Sequence, residues 1–224
     1  QDFLSSYKFS SKWVSLFAAS PEMIYAHPVF YIKGNHYLLE SLFFLKYHTQ
    51  FKQVLHEFVQ TTTQEDFPNN DNLKALIFLY TELNKLNSFF IEGDFSNGLR
   101  HINDILRGIE THKDLIDEHH VMLLHYKIAC LYFGNGDHRN CIRHLELIIK
   151  SKKLKMREDL MCFARVLSLV AHYESGQDYH LEVQLKQTYK FLLKMNDLHS
   201  VQNEMLKFLR NLGGIFPGEL RAEF

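Results

Sequence analysis

The side chains of greatest chemical potential in this chain are its 14 histidines, three cysteines and a few adjacent acids. Imidazole and thiolate are the usual zinc ligands. A helical zinc site needs His-x-x-x-His with a nearby Glu, or closely spaced Cys and His. His119-His120 and His125 form a pair five residues apart, a spacing that points to different faces of a helix. His56-Glu57 has no second histidine to complete a zinc-protease motif. Cys130 and Cys162 lie in apolar runs, where a thiolate is disfavoured. Glu158-Asp159 is a carboxylate pair, but neighbours on a helix diverge, and acids near a helix start suit its dipole. No Gly-x-Ser-x-Gly, Walker loop or Gly-x-Gly-x-x-Gly occurs. The expectation is a chain that is not an enzyme and carries no metal or cofactor.

One concentrated basic run remains, with Lys150, Lys152, Lys153, Lys155 and Arg157. It could meet an acidic partner or nucleic acid. Cations at a helix C-terminus also complement the exposed carbonyls there, which explains such a run without a partner. The whole chain carries 25 Lys+Arg against 26 Asp+Glu, a formal charge of -1, so no global pull toward nucleic acid or an anionic membrane exists. No stretch approaches ~18 uncharged apolar residues, the length that a membrane span requires. An odd number of cysteines (Cys130, Cys141 and Cys162), each inside an apolar pattern, suggests buried free thiols and a reducing, cytoplasmic setting. The first residue is Gln1 and a helical pattern begins at once, which suggests a fragment of a longer protein.

These side chains must be positioned by helices. With 46% hydrophobic residues but only 10 Gly and 4 Pro in 224 residues, the chain favours long helices over a many-turned β fold. The first helix reads from Asp2 to Ala19, with Phe9, Trp13, Leu16 and Phe17 on one face. Ser20-Pro21-Glu22 is a start signal, and His27-Pro28 breaks the short piece that follows. Helices are then expected from Pro28 to about Tyr47 and from Phe51 to Val59, with residues 61–72 as the main loop. Leu73–Ile91 ends at Gly93-Asp94, and the next stripe is Phe95, Leu99, Ile102, Leu106 and Ile109. Val121–Phe133 ends at Gly136-Asp137 and Leu160–Tyr173 ends at Gly176, each followed by another amphipathic helix. Val201, Met205, Phe208 and Leu212 mark a last helix, closed by Gly213-Gly214.

The helix–glycine–helix unit repeats. Ala129, Tyr132, Gly136, Cys141, Leu145 and Ile148 follow the small–aromatic–glycine–small pattern of a tetratricopeptide repeat. Leu86, Phe89, Gly93, Gly98 and Ile102 form a second copy. Leu42, Leu45, Thr49 and Val54 form a weaker one, with Thr49 in the glycine position, and Ala171, Tyr173, Gly176 and Tyr179 another. Taking Phe51, Phe95, His138 and Tyr179 as equivalent gives steps of 44, 43 and 41 residues. The usual period is about 34, so each unit carries longer helices or loops. On these residues the chain resembles the tetratricopeptide proteins, and Tyr126–Phe133 and Phe163–Tyr173 are similar to segments of uncharacterised bacterial members. The resemblance implies an all-α, α-α superhelix of antiparallel helix pairs over residues 1–224. It would hold about four pairs after a partial N-terminal repeat, with a capping helix near 197–212.

In such arrays the first helix of each pair lines a concave face on which a peptide or partner helix lies. The resemblance then implies a groove lined by Phe43 and Tyr47, by Tyr80, Asn87 and Phe90, by Tyr126 and Phe133, and by Tyr173. Each of these could equally be core packing. Relatives that grip a terminal carboxylate use Lys and Asn on these faces. Here Leu39 and Phe43 stand in two of those positions and only Asn87 matches, which argues against a carboxylate clamp. The expected function is a protein- or peptide-binding scaffold. The alternative is a regulatory sensor that binds a small peptide or metabolite and controls an attached module.

Overall fold

The computed structural model describes residues 2–151, 158–176, 178–192, 204 and 207. Helix accounts for 83% of them and no strand is present among them, so the chain is all-α. No helix among the described residues is long and apolar enough to cross a membrane. The basic residues 152–157 lie outside the described residues, as does the expected closing helix near 197–212 apart from 204 and 207. The chain forms two compact units, Gln1–His120 and Val121–Phe224.

The first unit runs through α1 (Phe3–Ala19), α2 (Glu22–Ala26), α3 (Pro28–Phe44), α4 (His48–Thr62), α5 (Asp71–Glu92), α6 (Phe95–Arg100) and α7 (Ile102–Thr111). It closes on the first residues of α8 (Glu118–Gly134). Asp2 caps α1 by accepting from the Leu4 and Ser5 amides, and Asn70 caps α5 through the Leu73 amide. α4 extends past Val59 into the polar stretch expected as loop. The Thr61, Thr62 and Thr63 hydroxyls each donate to the carbonyl four residues back, so threonine here feeds the helix's own backbone. The single stripe expected from Phe95 to Ile109 is two helices, broken at His101, whose ring stacks on Phe89. Gly108 lets α7 approach α5 closely, since a Cβ there would fall 2.0 Å from the Phe78 ring.

The second unit continues α8 and adds α9 (His138–Lys150), α10 (Glu158–Glu174) and α11 (Asp178–Leu192). Its main core joins Ala129, Cys141, Leu145, Ile148, Leu160 and Ala164, with Tyr126 and Phe133 packed at its border. Cys162, Leu169 and Leu181 form a second cluster under Tyr173.

Four helix pairs turn in the same way. The residues at the turn have left-handed backbone: Lys46 (φ 60°), Gly93 (68°), Gly136 (78°) and Gly176 (68°). Their amides donate to the carbonyls of Phe43, Phe90, Phe133 and Tyr173, each three residues back, at 3.0–3.3 Å. In the first three pairs the next amide reaches one carbonyl further, from Tyr47 to Leu42, Asp94 to Phe89 and Asp137 to Tyr132. These bonds satisfy the last carbonyls of each first helix. The second and third turns are also sealed alike. Asp94 and Asp137 accept from both the amide and the side-chain nitrogen of the asparagine three residues on.

This geometry corrects the expected register of the first copy. Lys46, not Thr49, occupies the glycine position, and Thr49 lies inside α4. The steps between turn residues are therefore 47, 43 and 40. The same buried ladder then appears in every pair. Seven residues before the turn stand Leu39, Leu86, Ala129 and Leu169, and five residues after it Phe51, Gly98, Cys141 and Leu181. Twelve after it stand Phe58, Ile105, Ile148 and Thr188. All twelve of these side positions are buried.

Candidate functional site

The eight residues expected to line a groove fall into distinct environments. Phe43, Phe90, Phe133 and Tyr173 share one position, the residue whose carbonyl accepts the turn amide. All four are half-buried against their own helix pair. Phe43 borders the Leu38–Leu39–Leu42–Phe51 cluster, Phe90 faces Phe95 at 6.5 Å, and the His138 ring stands edge-on to Phe133 at 5.3 Å. Packing at the turn therefore accounts for an aromatic ring at this repeat position without a ligand.

Tyr80 and Asn87 on α5 are each only 6% exposed. The Tyr80 ring stacks on His36 of α3 at 4.0 Å, and burial pushes its hydroxyl above the ordinary tyrosine range. Beside it Asn84, fully buried, donates to the Tyr80 carbonyl at 2.7 Å. These groups tie α3 to α5 and offer little surface to a ligand. Tyr126 is half-buried, and burial, with the Cys130 thiol beside it, raises its hydroxyl far above the usual range. Tyr47 differs. It is exposed, with its ring edge-on to Tyr7 of α1.

Sequence reasoning missed the most unusual polar contact of the second unit. The Nδ1 atoms of His125 on α8 and His144 on α9 lie 3.0 Å apart, and Tyr132 stacks on the His144 ring. Two ring nitrogens at that distance pair as one N–H donor and one bare acceptor, so the accepting ring is neutral. Burial holds His125 below the ordinary histidine range. Burial, with His125 and Arg143 nearby, lowers His144 to about 4. The pair was findable in principle, because His125 stands 11 residues before the Gly136 turn and His144 stands eight after it, on opposite arms of one hairpin.

The cysteines are packed rather than poised. Cys141 and Cys162 are fully buried, and burial pushes the Cys141 thiol up to about 12 and the Cys130 thiol upward as well. A thiol held protonated is a poor nucleophile and a poor metal ligand. Among the described residues no three His, Cys, Asp or Glu side chains group so as to hold a metal ion. An open cleft of about 440 Å³ lies where α4 runs through its loop into α5, lined by Gln64, Glu65, Phe67, Lys74 and Phe78 among others. Its charges are mixed and no reactive group converges on it. What the described side chains offer is aromatic and aliphatic contact area. Compared with protein-family models, with curated proteins and with solved structures, the chain matches none.

Proposed function

We propose that the chain is a protein- or peptide-binding scaffold of tetratricopeptide type, a solenoid of antiparallel helix pairs with no catalysis of its own. The observation that carries this reading is the fourfold recurrence of one helix–left-handed turn–helix unit at Lys46, Gly93, Gly136 and Gly176, with the same buried ladder around each turn. Quasi-repetitive helix pairs stack through nearest-neighbour contacts and leave extended faces, which such folds use to bind partners. Cys130, Cys141 and Cys162, none of them in a disulfide, suit a reducing, cytoplasmic setting.

Pull-down from the native lysate tests the reading, with Tyr47→Ala, Tyr126→Ala and Tyr173→Ala beside wild type. A true anchor costs roughly 2 kcal/mol or more of binding when truncated. The expected result is that at least one variant loses a captured protein while its thermal melt stays cooperative. If all three folded variants keep every partner, the aromatic positions of the first helices are not the binding face.

A further inference from the structure

The first unit carries a run of exposed large apolar side chains apart from the expected groove. It lies along α1 and α3. On α1, Phe9 is 76% exposed and Leu16 is 63% exposed, one heptad apart on the same face. On α3, Phe30, Tyr37 and Phe44 recur every seven residues, and all three are exposed. Trp13 joins the two rows. It stands between Phe9 and Leu16 along α1, packs against Gly34, and holds its ring 6.4 Å from Phe30 and 6.3 Å from Tyr37. Phe3 stacks on Phe44 at 4.3 Å and anchors the other end. Monomeric domains seldom leave so many large apolar side chains together in water without a use for them.

Charge narrows the occupant. Between Phe3 and Ala19 helix α1 has no acid, and Lys8 and Lys12 are exposed beside Phe9; Asp2 stands near Lys8, and α3 adds the half-buried Lys33 and Glu40, whose charges offset each other. An isologous dimer through this face would set the α1 lysines of two copies near each other around a two-fold axis, which disfavours a second copy. A membrane surface is read by clusters of about four to eight cations, more than α1 supplies. Heptad-spaced apolar rows flanked by lysine fit a helix that is apolar on one side and carries Asp or Glu on its borders.

We infer that the α1–α3 face, with Phe9, Trp13, Leu16, Phe30 and Tyr37 as its apolar floor and Lys8 and Lys12 at its border, docks an acidic amphipathic helix of a partner protein. This rests on the scaffold reading and moves the binding face to the N-terminal helices.

The single tryptophan provides the readout. The probe is a synthetic 15-residue peptide with Leu at helical three- and four-residue spacing and Glu elsewhere, compared with its Lys-for-Glu counterpart. Titrating the full chain with the Glu peptide should change Trp13 emission saturably, and the Lys peptide should not. Lys8→Glu with Lys12→Glu should weaken binding by about tenfold, with the gap narrowing as salt is raised. Phe9→Ser with Leu16→Ser should abolish the response, while circular dichroism stays that of wild type because both side chains face water.

Four outcomes overturn the inference. These are equal response to both peptides, no response to either, a Trp13 response to anionic phosphatidylserine vesicles alone, or a sedimentation-detected dimer that Phe9→Ser with Leu16→Ser dissolves. A chain that ignores the Glu peptide yet loses lysate partners on Tyr47, Tyr126 or Tyr173 truncation keeps the scaffold reading and refutes only this face.

Discussion

Ala129 shows what one methyl group does in this chain. It is fully buried on α8 in the cluster that contains Cys141, itself fully buried on α9, so two small residues set the separation of that helix pair. The equivalent positions elsewhere hold Leu39 with Phe51, Leu86 with Gly98, and Leu169 with Leu181. Volume is thus distributed differently in each pair while position is kept. Ala129→Leu adds three carbons where no space is left and should destabilise the fold by roughly 1–3 kcal/mol. Urea denaturation reads this directly as a lower midpoint. An unchanged midpoint would mean that the α8–α9 contact is looser than its burial indicates. At the turns the logic is conformational rather than volumetric. Glycine enters the left-handed region freely at Gly93, Gly136 and Gly176, whereas Lys46 does so against the steric penalty of a Cβ.

Helix pairing adds a dependence on pH that no single helix carries. His125 and His144 come from opposite arms of the Gly136 hairpin and face each other through Nδ1. Both are held below the ordinary histidine range in the folded chain, His144 at about 4. The unfolded chain therefore takes up protons first as pH falls. The stabilisation is complete above about pH 6.5 and is lost as pH drops from there toward 4. Allowing for partial exposure of His144, the loss should be about 1–2 kcal/mol across that window. Denaturant midpoints at pH 7.5 and 5.0 should differ accordingly, and His144→Gln should flatten the difference. A wild-type midpoint that does not fall on acidification contradicts the neutral pair.

How legible these elements were in the sequence depends on the chemistry of their signals. Gly93-Asp94 and Gly136-Asp137 announce a stop and a cap in residues that do little else, so both turns were readable. Lys46 carries no such signature, and the repeat spacing points instead to Thr49. The His pair is separated by 19 residues, and only the hairpin register brings it together. Tyr80 and Asn87 are each only 6% exposed, and in the sequence a helix face looks the same whether a neighbouring helix or a ligand covers it.

At the scale of the whole chain, its reporters are divided between the two compact units. Trp13 lies in Gln1–His120, while Cys130, Cys141 and Cys162 all lie in Val121–Phe224, as do His125 and His144. Trp13 packs against Gly34 and the rings of α3, so its emission follows the first unit. Cys141 and Cys162 are fully buried, so their reaction with a thiol reagent follows opening of the second. Each unit has its own hydrophobic cluster, and helical repeat folds approximate a sum of local stabilities and neighbour terms rather than one indivisible core. Two urea curves on one sample, one from tryptophan emission and one from thiol labelling, should therefore have different midpoints. Acidification from pH 7.5 to 5.0 should lower the thiol midpoint more than the tryptophan midpoint, because the depressed histidines act where the cysteines are. If the two curves coincide and shift together at both pH values, unfolding is one cooperative event, and the histidine pair stabilises the chain as a whole.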